Sequence, residues 1–116
     1  MELVVLVLNQ TDALNELLHQ FVEEKISGAT VIDSSGMGHI IANQVPMFAM
    51  FAELKKERED HSKTILTVVK NAEEREHVLR VVESVLGDIT QPNTAGFFSL
   101  PVAFAKGIYE ESGDNQ

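Results

Sequence analysis

Gly28-Ala29-Thr30-Val31-Ile32-Asp33-Ser34-Ser35-Gly36-Met37-Gly38-His39 is the stretch that decides the fold. Its β-branched run, Thr30 to Ile32, reads as a strand that passes directly into a Gly-x-Gly exit. Glycine tolerates positive φ and close backbone approach. The pair therefore marks a sharp departure from a sheet, or a place where a ligand touches backbone. The strand is expected over Ala29–Asp33, and residues 34–45 read as loop.

Strand–helix–strand signals lie on both sides. Upstream, Leu3-Val4-Val5-Leu6-Val7-Leu8 has no polar alternation, the pattern of a strand buried on both faces. Asn9-Gln10-Thr11-Asp12 is a turn and helix start, with Thr11 or Asp12 as cap. Leu14, Leu17, Leu18, Phe21 and Val22 then recur at helical spacing, Ile26 completes the stripe, and Gly28 is placed to end the helix. Downstream, Lys63–Val69 reads as the third strand. Asn71 with Glu74 resembles a capping box. Val78, Val81, Val82, Val85 and Leu86 line a helix that Gly87 closes. Asp88–Asn93 is a loop, and Phe97–Phe104 reads as the fourth strand, whose Pro101 suits an edge or a bulge.

Between the two units, Pro46 opens Met47-Phe48-Ala49-Met50-Phe51-Ala52-Glu53-Leu54. Proline fits a helix's first turn, and Met47, Met50, Phe51 and Leu54 share a face, so a helix is predicted over Pro46–Arg58. The element order predicts an α+β, ferredoxin-like βαββαβ sandwich with an extra helix inserted between strands 2 and 3. Right-handed crossovers put both main helices on one side of the sheet. The other side would then be bare and apolar, which predicts an oligomer that packs its sheets together.

Composition bounds the function. The chain has 116 residues, enough for one domain, which we place at 1–109 with a flexible acidic tail at 110–116. It is 44% hydrophobic, which suits a packed core. Eighteen acids against nine bases give a net charge of −9, opposing a nucleic-acid footprint or an anionic membrane. No cysteine is present, so disulfides, thiol nucleophiles and thiolate metal sites are excluded. No apolar run approaches spanning length, and Leu3–Leu8 is too short for a secretory core, so a cytoplasmic location is expected.

Gly28-Ala29-Thr30-Val31 followed by Gly36-Met37-Gly38, together with Phe97-Phe98-Ser99-Leu100-Pro101-Val102, resembles the PII signalling superfamily. The resemblance covers roughly residues 1–109 and implies a homotrimer that binds an effector in clefts between subunits and signals to a protein partner. It also implies a long effector loop opened by the Gly-x-Gly. The nucleotide-binding members hold phosphates with a basic Gly-rich loop, whereas Gln91-Pro92-Asn93-Thr94-Ala95-Gly96 contains no Lys or Arg. Lys106 is the only base after the last strand, and Ile40 stands where the family's glutamine is expected. Phosphates need cations or donors to offset their charge, so ATP is not expected to bind in the usual mode.

The expected ligand-binding residues are Gly36, Met37, Gly38, His39, Lys63, Gly87, Asp88, Thr94 and Gly96, in a cleft between subunits. They would take a small molecule or anion, chiefly through backbone donors, and no cofactor is specified. A CutA-type divalent-metal protein and an enzyme on the same fold are the alternatives. The four histidines show no HxxxH spacing. There is no Walker loop, HExxH or nucleophile elbow, and no catalytic residue is expected. Ser34 and Ser35 beside His39 are a faint Ser/His pair.

Overall fold

The computed structural model describes residues 1–26, 28–42 and 61–108. The expected helix at Pro46–Arg58 and the tail at 110–116 lie outside the described residues. Four strands, β1 (Glu2–Leu8), β2 (Thr30–Ser34), β3 (Ser62–Val69) and β4 (Ala95–Pro101), form one antiparallel sheet in the order β2-β3-β1-β4. Helix α1 (Leu14–Glu23) follows β1 after a 3-10 turn at Thr11–Ala13, a short α2 (Met37–Ala42) follows β2, and α3 (Ala72–Leu86) joins β3 to β4. This mixed architecture is compatible with the ferredoxin-like α+β expectation.

The register sorts every strand residue onto one of two faces. Val4, Leu6 and Leu8 share a face with Ile65, Val69 and Phe97. There they meet Leu17 and Phe21 of α1 and Val78, Val81 and Val82 of α3 in one buried core. Both helices therefore cover the same face. At one end of that face Arg75 of α3 holds the Glu2 carboxylate at 2.9 and 3.1 Å, and the Ser99 hydroxyl donates to it at 3.0 Å. These bonds, with the Arg75 hydrogen bond foremost, lower the Glu2 pKa from its ordinary value.

The opposite face is open among the described residues. Its middle row runs Phe98, Val5, Leu66, Thr30 across β4, β1, β3 and β2. A second row runs Leu100, Leu3, Val68, and a third Gly96, Val7, Thr64, Ile32. Phe98 is 51% exposed, Ile32 44% and Leu100 42%. The strands expected to be buried on both faces are thus buried by helices on one.

Several boundaries differ from expectation, each for a local reason. Helix α1 ends at Glu23, not Gly28. Lys25 takes the left-handed conformation (φ 64°), its N–H donates to Val22 O at 3.1 Å, and the Ile26 N–H reaches back to Phe21 O at 2.8 Å. That is a Schellman ending, usually supplied by glycine, with Ile26 packed against the core that contains Phe21. Residues 37–42, expected as loop, are helical, and the Ile40 N–H bonds Gly36 O at 3.2 Å. Six residues are too few for periodicity to register.

Strand β4 is Ala95–Pro101 rather than Phe97–Phe104. Its partner sets its length, because pairing with β1 runs from Leu8↔Ala95 to Glu2↔Pro101. One further bond, Val102 N–H to Met1 O at 3.0 Å, closes the ladder, and Phe104 beyond it is 80% exposed. Pro101 sits at the end of an edge strand, where its missing N–H costs no ladder bond.

The cap of α3 matches its reading. The extended Asn71 side chain accepts from the Glu74 N–H at 2.9 Å. Glu74 returns its carboxylate to the Lys70 N–H at 2.8 Å, one residue farther out than in a capping box. Gly87 ends the helix at φ 80°, ψ −147°, a region essentially confined to glycine.

Candidate functional site

All the expected ligand-binding residues lie at one end of the sheet. There β1 and β2 leave, and β3 and β4 enter, because the ladders pair Leu8 with Lys63 and Ala95, and Ser34 with Ser62. Within the chain they form two groups. Gly36, Met37, Gly38, His39 and Lys63 belong to the β2–β3 side, whereas Gly87, Asp88, Thr94 and Gly96 belong to the α3–β4 side. Strands β2 and β4 are the opposite edges, three strand spacings or about 14 Å apart.

On the β2 side, Gly36 has no positive φ, and an added Cβ would meet nothing within 4 Å. The Gly36 position thus demands neither of the properties expected of it; it precedes α2, and Met37, Gly38 and His39 form that helix's first turn. Lys63 pairs with Asp33 directly across the ladder. The Lys63 hydrogen bond and charge, in that order, lower the Asp33 pKa, with a further contribution from the charge of His61. On the open face beside them, the Ser34 hydroxyl bridges Ser62 at 2.6 Å and Thr64 at 2.8 Å.

The α3–β4 side is held tightly by its own bonds. Both Asp88 oxygens are used locally: Oδ1 accepts from the Thr90 N–H at 3.0 Å and its hydroxyl at 2.6 Å, and Oδ2 from Gln91 Nε2 at 3.2 Å. The Thr90 hydroxyl is the main cause of a lowered Asp88 pKa. Thr94 is buried, and its carbonyl accepts from the N–H groups of Asn9 at 2.9 Å and Gln10 at 3.2 Å. Asn93, at φ 61°, makes the turn that allows this. Asp88 and Thr94 therefore shape the loop, which leaves its backbone as the surface a ligand would meet.

The Ser/His proximity of the sequence resolves differently in space. Ser35 Oγ lies 3.1 Å from Nδ1 of His61, a partner 26 residues away. Nothing in local sequence links them; the β2–β3 register does, since Ser34↔Ser62 is the ladder's last pair. Among the described residues no group of three His, Cys, Asp or Glu side chains is placed to hold a metal ion. An open apolar groove of about 530 Å³, lined by Leu18, Phe21, Val22, Ile26 and Ala29, lies at the opposite end of the sheet, where α1 stops and β2 begins.

No family model matches the chain. No curated protein matches it. A crystal structure of a functionally unknown protein from Pediococcus pentosaceus ATCC 25745 is similar, with a TM-score of 0.60 at 16% identity over 90% of this chain and 94% of that one. At that identity the likeness concerns the fold alone.

Proposed function

We propose that this chain is a PII-like regulatory protein. Its subunits assemble as a homotrimer through the open sheet face, a small molecule or anion binds in the clefts between them, and segment 37–61 carries the signal to a protein partner. The observation that carries this reading is the gathering of both candidate groups at one end of a sheet whose second face, among the described residues, exposes Ile32, Phe98 and Leu100. Packing such sheets against one another buries Leu3, Val5, Leu66, Val68, Phe98 and Leu100. It also sets the β2 edge of one copy beside the β4 edge of the next, so that each cleft is completed only by assembly. The strand order β2-β3-β1-β4 supports the same reading.

Light scattering, followed by thermal-shift screening against small anions, nucleotides and amino acids, tests it. The expected mass is three times 12.8 kDa, with one ligand class raising the melting temperature. A stable 12.8 kDa species at micromolar concentration would overturn the assembly and the cleft with it.

A further inference from the structure

We propose that Ser35 and His61 form a nucleophile–base pair that takes an acyl group from an activated carboxylic ester. This goes beyond ligand sensing and does not rest on it, because both residues belong to one chain.

Position is the first argument. The β2–β3 ladder ends at Ser34↔Ser62, and Ser35 and His61 are the next residues outward on the two strands. Two paired strands therefore hold them opposite each other, and Ser35 Oγ stands 3.1 Å from His61 Nδ1. That is the reach required between a nucleophilic hydroxyl and its base. Both residues are exposed, so an electrophile has access. Selectivity is the second argument. The neighbouring Ser34 hydroxyl is engaged by Ser62 and Thr64 and is not oriented by an imidazole. The third argument is electrostatic. Strand alternation puts Asp33 on the same side as Ser35, and its carboxylate senses the charge of His61. Lys63 is the first partner of that carboxylate.

The chemistry balances without a co-reactant other than water. Ser35 Oγ bonds to the ester carbonyl carbon while its proton passes to Nδ1 of His61, whose own proton sits on Nε2. The tetrahedral adduct collapses, the bond to the leaving oxygen breaks, and the proton on Nδ1 goes to that oxygen. The products are an alcohol and an acylated Ser35. Water repeats the sequence at the acyl carbon, releasing the acid and restoring the hydroxyl.

The full chain is incubated with p-nitrophenyl acetate and, separately, with an alkyl fluorophosphonate, and adducts are mapped by mass spectrometry. The expected result is one adduct, on Ser35. Ser35→Ala abolishes it and Ser34→Ala does not. His61→Ala slows it by about 10²-fold, the scale of general-base assistance, and added imidazole restores part of the rate. Adducts on other residues, or a His61→Ala rate equal to that of wild type, would overturn the proposal. If circular dichroism shows that His61→Ala fails to fold, the wild-type comparison of Ser35 with Ser34 and Ser62 decides: preferential labelling of Ser35 supports the pair, and equal labelling removes it.

Discussion

Phe98→Asp places a carboxylate in the middle row of the open sheet face, beside Val5. The aromatic ring is 51% exposed in the single chain and sits on an edge strand, so the isolated fold loses little. Roughly half of the 1.5–3 kcal/mol available from burying a large apolar side chain remains to be gained on assembly, about 1 kcal/mol. An unpaired carboxylate closed into the interface adds about 3–5 kcal/mol against association. The sum, about 4–6 kcal/mol per buried site, weakens association by about 10³–10⁴-fold. Sedimentation velocity at micromolar protein reads the outcome directly. Wild type is expected at a multiple of 12.8 kDa and the variant at 12.8 kDa, with the variant folded by circular dichroism and its urea midpoint lowered only by the lost assembly. A variant that sediments like an assembled wild type would refute the assignment of this face as the interface. A variant that fails to fold would refute the claim that the single chain tolerates the face open.

Lys25→Gly relieves a left-handed lysine at the end of α1 and should stabilise the chain by about 0.5–1 kcal/mol, seen as a melting temperature higher by about 3–5 °C; a fall would show that the lysine stem packs more than its backbone strains. Gly87→Ala should cost about 1–3 kcal/mol, because its φ 80°, ψ −147° geometry suits only glycine, whereas Gly36→Ala should be close to neutral in the same urea titration. The Glu2 carboxyl has a folded-state pKa below its unfolded value, so its contribution is complete above the unfolded value of about 4.5 and fades as pH falls through the lower folded one. Glu2→Gln should therefore flatten the acid limb of stability against pH, and an unchanged limb would assign acid lability elsewhere. Calorimetry with ATP and magnesium should give no saturable binding, since no base lies between Gly87 and Gly96; tight binding of one nucleotide per subunit would contradict this.

Much of the fold was legible because it rests on local signals. The Val stripe of α3, its Asn71 cap and its Gly87 stop are each written within a few residues, and the structure places all three as read. Strand ends were less legible because the partner fixes them: β4 stops at Pro101 where β1 runs out, although apolar residues continue to Phe104. The end of α1 was misplaced because a lysine does what glycine usually does. The candidate site was legible as two stretches of chain, but their separation across the sheet depends on strand order, which no stretch records. The Ser35–His61 contact was invisible for the same reason, since it exists only once β2 and β3 are in register.

Thr94 has a mechanical consequence. Its carbonyl takes two N–H groups from the exit of β1, and Gln10 O in turn accepts the Ala13 N–H that starts the helical region. The 88–94 loop, the end of the central strand and the root of α1 are therefore bolted into one body. A molecule pressing on this loop cannot move it without breaking two backbone bonds at the head of the core. It behaves as an anvil: a load applied to the loop passes straight into the end of β1 and the first turn before α1.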